Sequence, residues 1–142
     1  MTLFVGRDER ESMNSLADWV ALIGALVVTG LAIFQIFLAV GLPLGAAAFG
    51  GANVVLSSKL RIASAISALL FFAALYVVTA RAGLYGVVGR SWPVHLAIWV
   101  FAAVFALSAL ANGASQSRWE RFLMLPLAIV LAACCVTLAI VA

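Results

Sequence analysis

Four long apolar runs constrain the fold of this chain more than any other feature of its sequence. The runs cover residues 16–41, 62–83, 94–112 and 121–141, and Lys or Arg residues flank most of them. As a helix, even the shortest run is about 28 Å long, which is close to the roughly 30 Å hydrocarbon core of a bilayer. Each run therefore predicts one membrane-spanning helix.

Composition supports the same conclusion. Of the 142 residues, 67% are hydrophobic and 9% are charged, whereas a soluble domain carries about 25% charged residues. A soluble fold of this size could not bury so much apolar surface. The chain is therefore predicted to be an integral membrane protein, which excludes a soluble enzyme and a disulfide-stapled secreted domain. Its Lys and Arg residues form no long basic run, so no nucleic-acid partner is expected.

The short connections between the runs predict an all-α, up-and-down four-helix bundle within the membrane. Residues 16–142 would form this single transmembrane domain, and residues 1–15 would form an N-terminal tail. A cleaved signal peptide is the alternative for the first run, but that run is far longer than the roughly 7–15 apolar residues of a signal peptide. Translation could also start at Met13 instead of Met1.

The orientation of the bundle is left open by the charges. We call the end of the bundle at which the chain begins end A, and the opposite end, end B. The basic residues of end A are Arg7, Arg10, Arg81 and Arg90. Those of end B are Lys59, Arg61, Arg118 and Arg121. The positive-inside rule therefore gives a tie. A start at Met13 would favour a cytoplasmic end B, and the tie also permits insertion in both orientations.

Polar side chains from all four runs converge at end B. They are Gln35, Arg61, Ser64, Asn112 and Glu120. A polar group at membrane depth is costly, and it is therefore a candidate functional residue. In a ligand-binding hypothesis, Gln35 and Asn112 form hydrogen bonds with the ligand, and Arg61 supplies positive charge.

Four of these residues also have a purely structural interpretation. Arg61 could extend towards lipid phosphates, and Glu120 could stabilise the start of its helix. Ser64 could bond back to its own helix. Gln35 could form a hydrogen bond between helices.

The first connection, residues 41–58, is rich in Gly and Ala and almost free of charge. Its glycines and Pro43 prevent a regular helix through most of it. Apolar, non-helical backbone at a membrane face predicts a re-entrant segment that covers the polar cluster, with Gly50 and Gly51 bringing backbone amides close to a ligand or to a neighbouring helix. A loop that lies flat in the headgroup zone is the alternative.

End A carries an aromatic belt with polar neighbours. The predicted interfacial residues are Asp18, Trp19, Arg81, Trp92 and His95. Tryptophans are common at membrane interfaces, and Asp18 is expected to pair with Arg81 or Arg90. His95 could respond to pH, although a polar anchor is the favoured interpretation.

Small residues recur at every fourth position of the first run. They are Ala17, Ala21, Ala25 and Thr29. Such a stripe allows two helix backbones to approach closely, so these residues are predicted to pack against another helix.

No catalytic or metal-binding pattern is present in the sequence. The single histidine cannot form a zinc or bis-histidine haem site, and no nucleophile motif is found. The adjacent Cys134 and Cys135 are expected to be packing residues. We therefore predict that the protein is not an enzyme and binds no cofactor or metal.

One set of positions resembles a group of small four-span bacterial inner-membrane proteins. The pattern is Phe34-Gln35…Gly41…Pro43…Gly50-Gly51…Leu60-Arg61…Ser64, followed by Asn112…Ser115…Ser117-Arg118…Glu120-Arg121…Pro126. The resemblance implies residence in a bacterial inner membrane and marks end B as the distinctive part, but it carries over no activity.

Three functional hypotheses remain open. The first is a non-enzymatic, oligomeric membrane protein that binds or transports a small or amphiphilic ligand at end B, surrounded by membrane lipids. The second is an accessory or assembly subunit that docks through its small-residue stripes onto a larger membrane complex. The third is a dual-topology dimeric transporter.

Overall fold

The structure is a computed structural model that describes the backbone of residues 2–142 and the side chains of residues 11–142. Its main elements are α1 (Thr2–Ala39), α2 (Ser58–Arg81), α3 (Trp92–Gly113) and α4 (Leu125–Val141). A π-helical turn, Glu120–Met124, precedes α4. The 3-10 turns are Gly45–Ala47, Phe49–Gly51 and Gly86–Arg90. The predicted all-α fold is confirmed.

All four helices are long and apolar enough to cross a membrane. The segments that meet this condition are Glu11–Ala39, Ser58–Arg81, Trp92–Gly113 and Glu120–Val141. The backbone of α1 is helical from Thr2, so residues 2–15 continue the helix that the sequence analysis starts at residue 16. Residues 7–15 contain no Gly or Pro that would end a helix there. Met1 lies outside the described residues.

The helices form a closed up-and-down bundle. Helix α1 packs against α2 and α4, and α3 packs against α4 and, less extensively, α2. The core between them contains Val28, Val78, Ile98 and Leu138, all fully buried. Large apolar side chains such as Leu26 and Leu69 point outwards and are exposed, as expected for surfaces that face lipid.

The small-residue stripe of α1 is buried only in its first part. Ala17 and Ala21 are buried, whereas Ala25 and Thr29 are half-buried. On a helix with 3.6 residues per turn, side chains four positions apart point in directions that differ by about 40°. A row of every fourth residue therefore winds away from the packed face of α1. Gly24 continues that face, and a Cβ there would lie 3.5 Å from both Cys134 and Val78 side-chain atoms.

Pro126 shapes the start of the fourth helix. The N–H of Leu125 donates to the carbonyl oxygen of Glu120, five residues earlier. Proline has no N–H and its ring collides with the carbonyl four residues before it, so the preceding turn widens into a π-helical turn. This π-helical turn begins at Glu120.

Candidate functional site

The first connection folds back onto end B of the bundle. Within it, the N–H of Gly45 donates to the carbonyl oxygen of Val54 at 2.9 Å, which closes the segment into a compact loop. Ala48 and Leu56 of this loop pack with Leu38 near the end of α1, and all three side chains are buried. The loop is therefore a packed cap, and its predicted re-entry into the membrane stays a prediction.

The two adjacent glycines of this loop have different roles. Both have left-handed backbone conformations, with φ of 79° at Gly50 and 73° at Gly51, which favour glycine. A Cβ on Gly51 would lie 2.8 Å from the carbonyl oxygen of Ala46 and 3.0 Å from the Cβ of Ser117. A Cβ on Gly50 would meet open space. Gly51 therefore permits close packing of the loop against Ser117, whereas Gly50 is not needed for packing and offers its N–H group as a hydrogen-bond donor.

The N–H of Gly50 donates to the carboxylate of Glu120. The distances are 3.1 Å to Oε1 and 3.3 Å to Oε2. The hydroxyl of Ser115 donates to Oε2 of the same carboxylate, and the hydroxyl of Ser117 donates to the carbonyl oxygen of Ala46 at 2.6 Å. Glu120 is only 8% exposed. The segment before α4 therefore holds the loop in place.

Ser117 and Glu120 have the spacing of a capping box, in which the serine bonds forward to the glutamate N–H and the glutamate bonds back. The forward bond is present, because the Glu120 N–H donates to Ser117 Oγ at 3.4 Å. The return bond from the Ser117 N–H to the Glu120 carboxylate is absent, because this N–H donates instead to Ser115 Oγ at 3.0 Å. The Glu120 carboxylate is thereby directed towards Gly50 and away from its own helix start.

A cavity of about 470 Å³ lies between this loop and the helices. Its volume falls in the range of small-molecule sites, roughly 300–1,000 Å³. The polar residues in its wall are Gln35, Ser67, Ser108, Asn112, Ser115 and Glu120. Its apolar wall includes Phe34, Phe71, Phe105 and Leu131. The cavity therefore combines a polar end with aromatic and aliphatic walls.

Gln35 contributes a buried hydrogen-bond acceptor to this wall. It stands four residues before the end of α1, about 6 Å along the helix axis. Its Oε1 is buried and has no hydrogen-bond partner among the described residues. A buried acceptor without a partner costs about 1–3 kcal/mol. Because Gln35 also lines the cavity, rotation of its side-chain amide would let this acceptor reach a donor from outside the chain.

The structure brings together four of the predicted site residues and separates the other three. Gln35, Gly50, Asn112 and Glu120 line the cavity. Gly51 instead packs against Ser117.

Arg61 and Ser64 also lie outside the cavity wall. The Nε of Arg61 donates to the carbonyl oxygen of Ala39 at 2.8 Å, so this side chain stabilises the C-terminal end of α1. Ser64 is fully buried, and its Oγ has no partner among the described residues.

At end A, Arg81 is buried, whereas the other predicted interfacial residues, Asp18, Trp19, Trp92 and His95, are exposed. The guanidinium of Arg81 donates to the carbonyl oxygens of Gly89 at 3.1 Å and Leu138 at 3.3 Å, and also to that of Ala142. These acceptors include the negative end of the α4 dipole. Arg81 therefore bonds to backbone carbonyls in place of the predicted partner, Asp18.

The predicted site residues do not include the serines of this site. Ser115 holds the Glu120 carboxylate, and Ser67 and Ser108 line the cavity. The one available signal is the Ser-x-x-Glu spacing of Ser117 and Glu120, which marks a helix start but does not reveal the loop that Glu120 contacts. Among the described residues, no group of three His, Cys, Asp or Glu could hold a metal ion.

Comparison with known proteins returns no match: no family model, no curated protein and no solved structure corresponds to this chain. The function is therefore argued from the geometry of the cavity.

Proposed function

We propose that this protein binds a small amphiphilic ligand in the cavity at end B and holds or transports it within the membrane. The observation that carries this proposal is the unpartnered Oε1 of Gln35 beside a cavity of about 470 Å³ with a polar end and aromatic walls. A ligand with a polar head group and an apolar body matches both parts of that wall.

A second cavity supports an apolar body for the ligand. It has a volume of about 350 Å³ and lies between α2 and α3, which pack less extensively than the other neighbouring helices. Its wall shares Gln35, Ser67, Phe71, Phe105 and Ser108 with the first cavity. The shared wall gives an amphiphile a route from the polar end towards the lipid-facing side of the bundle.

The resemblance in sequence and the four apolar helices favour a bacterial inner membrane as the location of this protein, with lipids and further copies of the chain as its partners. An accessory role in a larger complex has less support. The first part of the small-residue stripe, Ala17 and Ala21, packs inside the bundle of this chain and is not free to dock onto another subunit.

Native mass spectrometry of protein extracted gently from its own membrane tests the proposal. We expect a reproducible small molecule or lipid bound to the wild-type protein. Ser108→Phe would fill the shared wall of the two cavities and should abolish this bound mass. Leu107→Phe is the matched control, because Leu107 lies on the same helix and its side chain is 65% exposed.

Two results would contradict the proposal. One is a wild-type protein that carries no bound molecule, and the other is a bound mass that Ser108→Phe leaves unchanged. Co-purification with unrelated larger subunits at a fixed stoichiometry, without a bound molecule, would favour the accessory role instead.

A further inference from the structure

The head group of the ligand can be inferred from the acceptors in the cavity wall, and this inference rests on the proposed function. A carboxylate has about four lone-pair positions. At Glu120, the Gly50 N–H and the Ser115 hydroxyl use at most three of them. Gln35 adds an Oε1 with no partner. A ligand that donates hydrogen bonds at this end of the cavity would therefore satisfy both acceptors.

The charge of Glu120 also constrains the head group. Its two hydrogen-bond partners, a backbone amide and a hydroxyl, are neutral. Of the nearby basic side chains, Arg61 bonds to Ala39 outside the cavity wall, and Arg118 and Arg121 are exposed. A carboxylate in a poorly hydrated site interacts strongly with an added positive charge. The cavity therefore complements a cation and disfavours an anion.

The aromatic wall fits both a cation and an apolar chain. Phe71 and Phe105 stack with ring centroids 6.2 Å apart, and Phe101 and Phe105 stack at 6.0 Å. These rings lie on the two sides of the α2–α3 cavity. Aromatic faces attract cations within about 6 Å and supply a large apolar contact area.

We propose that the cavity binds an amphiphile whose head group is a protonated primary amine. The ammonium group donates to the free position on the Glu120 carboxylate and, once the side-chain amide of Gln35 has rotated, to its Oε1. The alkyl chain lies along the wall formed by Phe71, Phe101 and Phe105. A quaternary ammonium fits less well because it has no N–H for Gln35. This assignment reverses the sequence-based hypothesis, in which Arg61 supplies positive charge to the ligand.

Photocrosslinking in lipid nanodiscs tests this assignment. The probe is dodecylamine with a diazirine in its alkyl chain, and the comparison probes are the matching alcohol, carboxylate and trimethylammonium compounds. The nanodiscs contain phosphatidylcholine alone, so that anionic lipid does not concentrate the amine. Labelled positions are mapped by peptide mass spectrometry near neutral pH.

We expect the amine to label the residues around Phe71 and Phe105 about tenfold more than the alcohol or the carboxylate, because charge-assisted hydrogen bonds add affinity of that order. Glu120→Gln should reduce labelling by the amine about tenfold and leave labelling by the alcohol unchanged. Asp18→Asn is the control, because it removes an exposed acid at end A and should change neither.

The outcomes separate this inference from the proposed function. Equal labelling by amine and alcohol, or amine labelling that survives Glu120→Gln, would overturn the amine assignment and leave the cavity as a ligand site. If no probe labels the cavity wall, both proposals fail. Gln35→Leu decides the matter if Glu120→Gln does not fold. It should weaken amine labelling severalfold and remove the preference for the amine over the trimethylammonium compound.

Discussion

Among the side chains that the structure describes, each end of the bundle buries one charged group, but the surroundings of the two charges differ. At end A, the guanidinium of Arg81 reaches carbonyl oxygens from the Gly86–Arg90 turn and from the end of α4. At end B, the carboxylate of Glu120 accepts from two neutral donors and lies beside a cavity. The first charge joins chain segments, whereas the second faces space that a ligand can occupy.

The glycine that bonds to each buried charge shows the same contrast. A Cβ on Gly89 at end A would collide with the carbonyl oxygen of Ala80, whereas a Cβ on Gly50 at end B would meet nothing within 4 Å. The backbone that Arg81 contacts is therefore closely packed. A buried charge thus indicates a binding site only where the packing around it is incomplete, and residue type alone does not reveal that.

The largest effect on stability is expected at Arg81. Arg81→Leu should lower the free energy of unfolding by about 3 kcal/mol, because hydrogen bonds from a charged donor are worth roughly 1.5–3 kcal/mol and the change leaves their carbonyl acceptors unpaired. Reversible unfolding in mixed micelles measures the loss. Arg90→Leu, at an exposed position, should change stability by no more than about 0.5 kcal/mol. Equal effects of the two changes would remove the contrast between the ends.

The adjacent glycines at end B give a second test. Gly51→Ala should lower the free energy of unfolding by about 3 kcal/mol. The new methyl group adds a collision with Ala46 and Ser117 to a left-handed backbone strain of about 1–2 kcal/mol. Gly50→Ala should cost only the backbone strain. The difference between the two unfolding free energies isolates the close packing of the loop on Ser117. Identical losses would mean that the loop is not seated there.

Glu120→Gln should have a smaller effect on stability, about 1 kcal/mol. The substituted amide keeps an acceptor for the Gly50 N–H, but the bonds lose their charge assistance. Thermal unfolding in nanodiscs without added ligand measures this loss, with Asp18→Asn as the exposed control. A loss above about 3 kcal/mol would show that the carboxylate acts mainly as a structural bond.

The smallest effect on stability is expected at Gln35. Gln35→Leu removes a buried acceptor that has no partner, so stability should stay unchanged or rise by up to about 1 kcal/mol, while binding of the amine probe weakens. Unfolding and photolabelling of the same preparation measure both quantities. A large loss of stability would support the alternative in which Gln35 forms a structural hydrogen bond between helices.

The sequence predicts the four helices and part of the site for a clear physical reason. The length of an apolar run fixes the depth of each polar residue, so Gln35, Asn112 and Glu120 are correctly placed at one end. Depth does not fix rotation about the helix axis. Arg61 and Ser64 stand at the predicted end of α2, but one bonds to the end of α1 and the other faces the bundle interior.

Contacts between distant segments explain the remaining differences. The bond between Gly50 and Glu120 joins residues 70 positions apart, and that between Arg81 and Leu138 joins residues 57 positions apart. No local pattern encodes either pairing. A basic residue at the end of an apolar run is expected to be an interfacial anchor. Arg81 is buried instead, because its guanidinium donates to backbone carbonyl oxygens at the end of α4.

Hydrogen–deuterium exchange in nanodiscs, with and without dodecylamine, tests most directly the claim that the two ends have different roles. Exchange at amides reports local opening of the backbone. We predict that the amine slows exchange in residues 45–53 of the end B loop and leaves residues 86–91 of end A unchanged. No change in the loop, or an equal change at both ends, would contradict the assignment of the ligand site to end B.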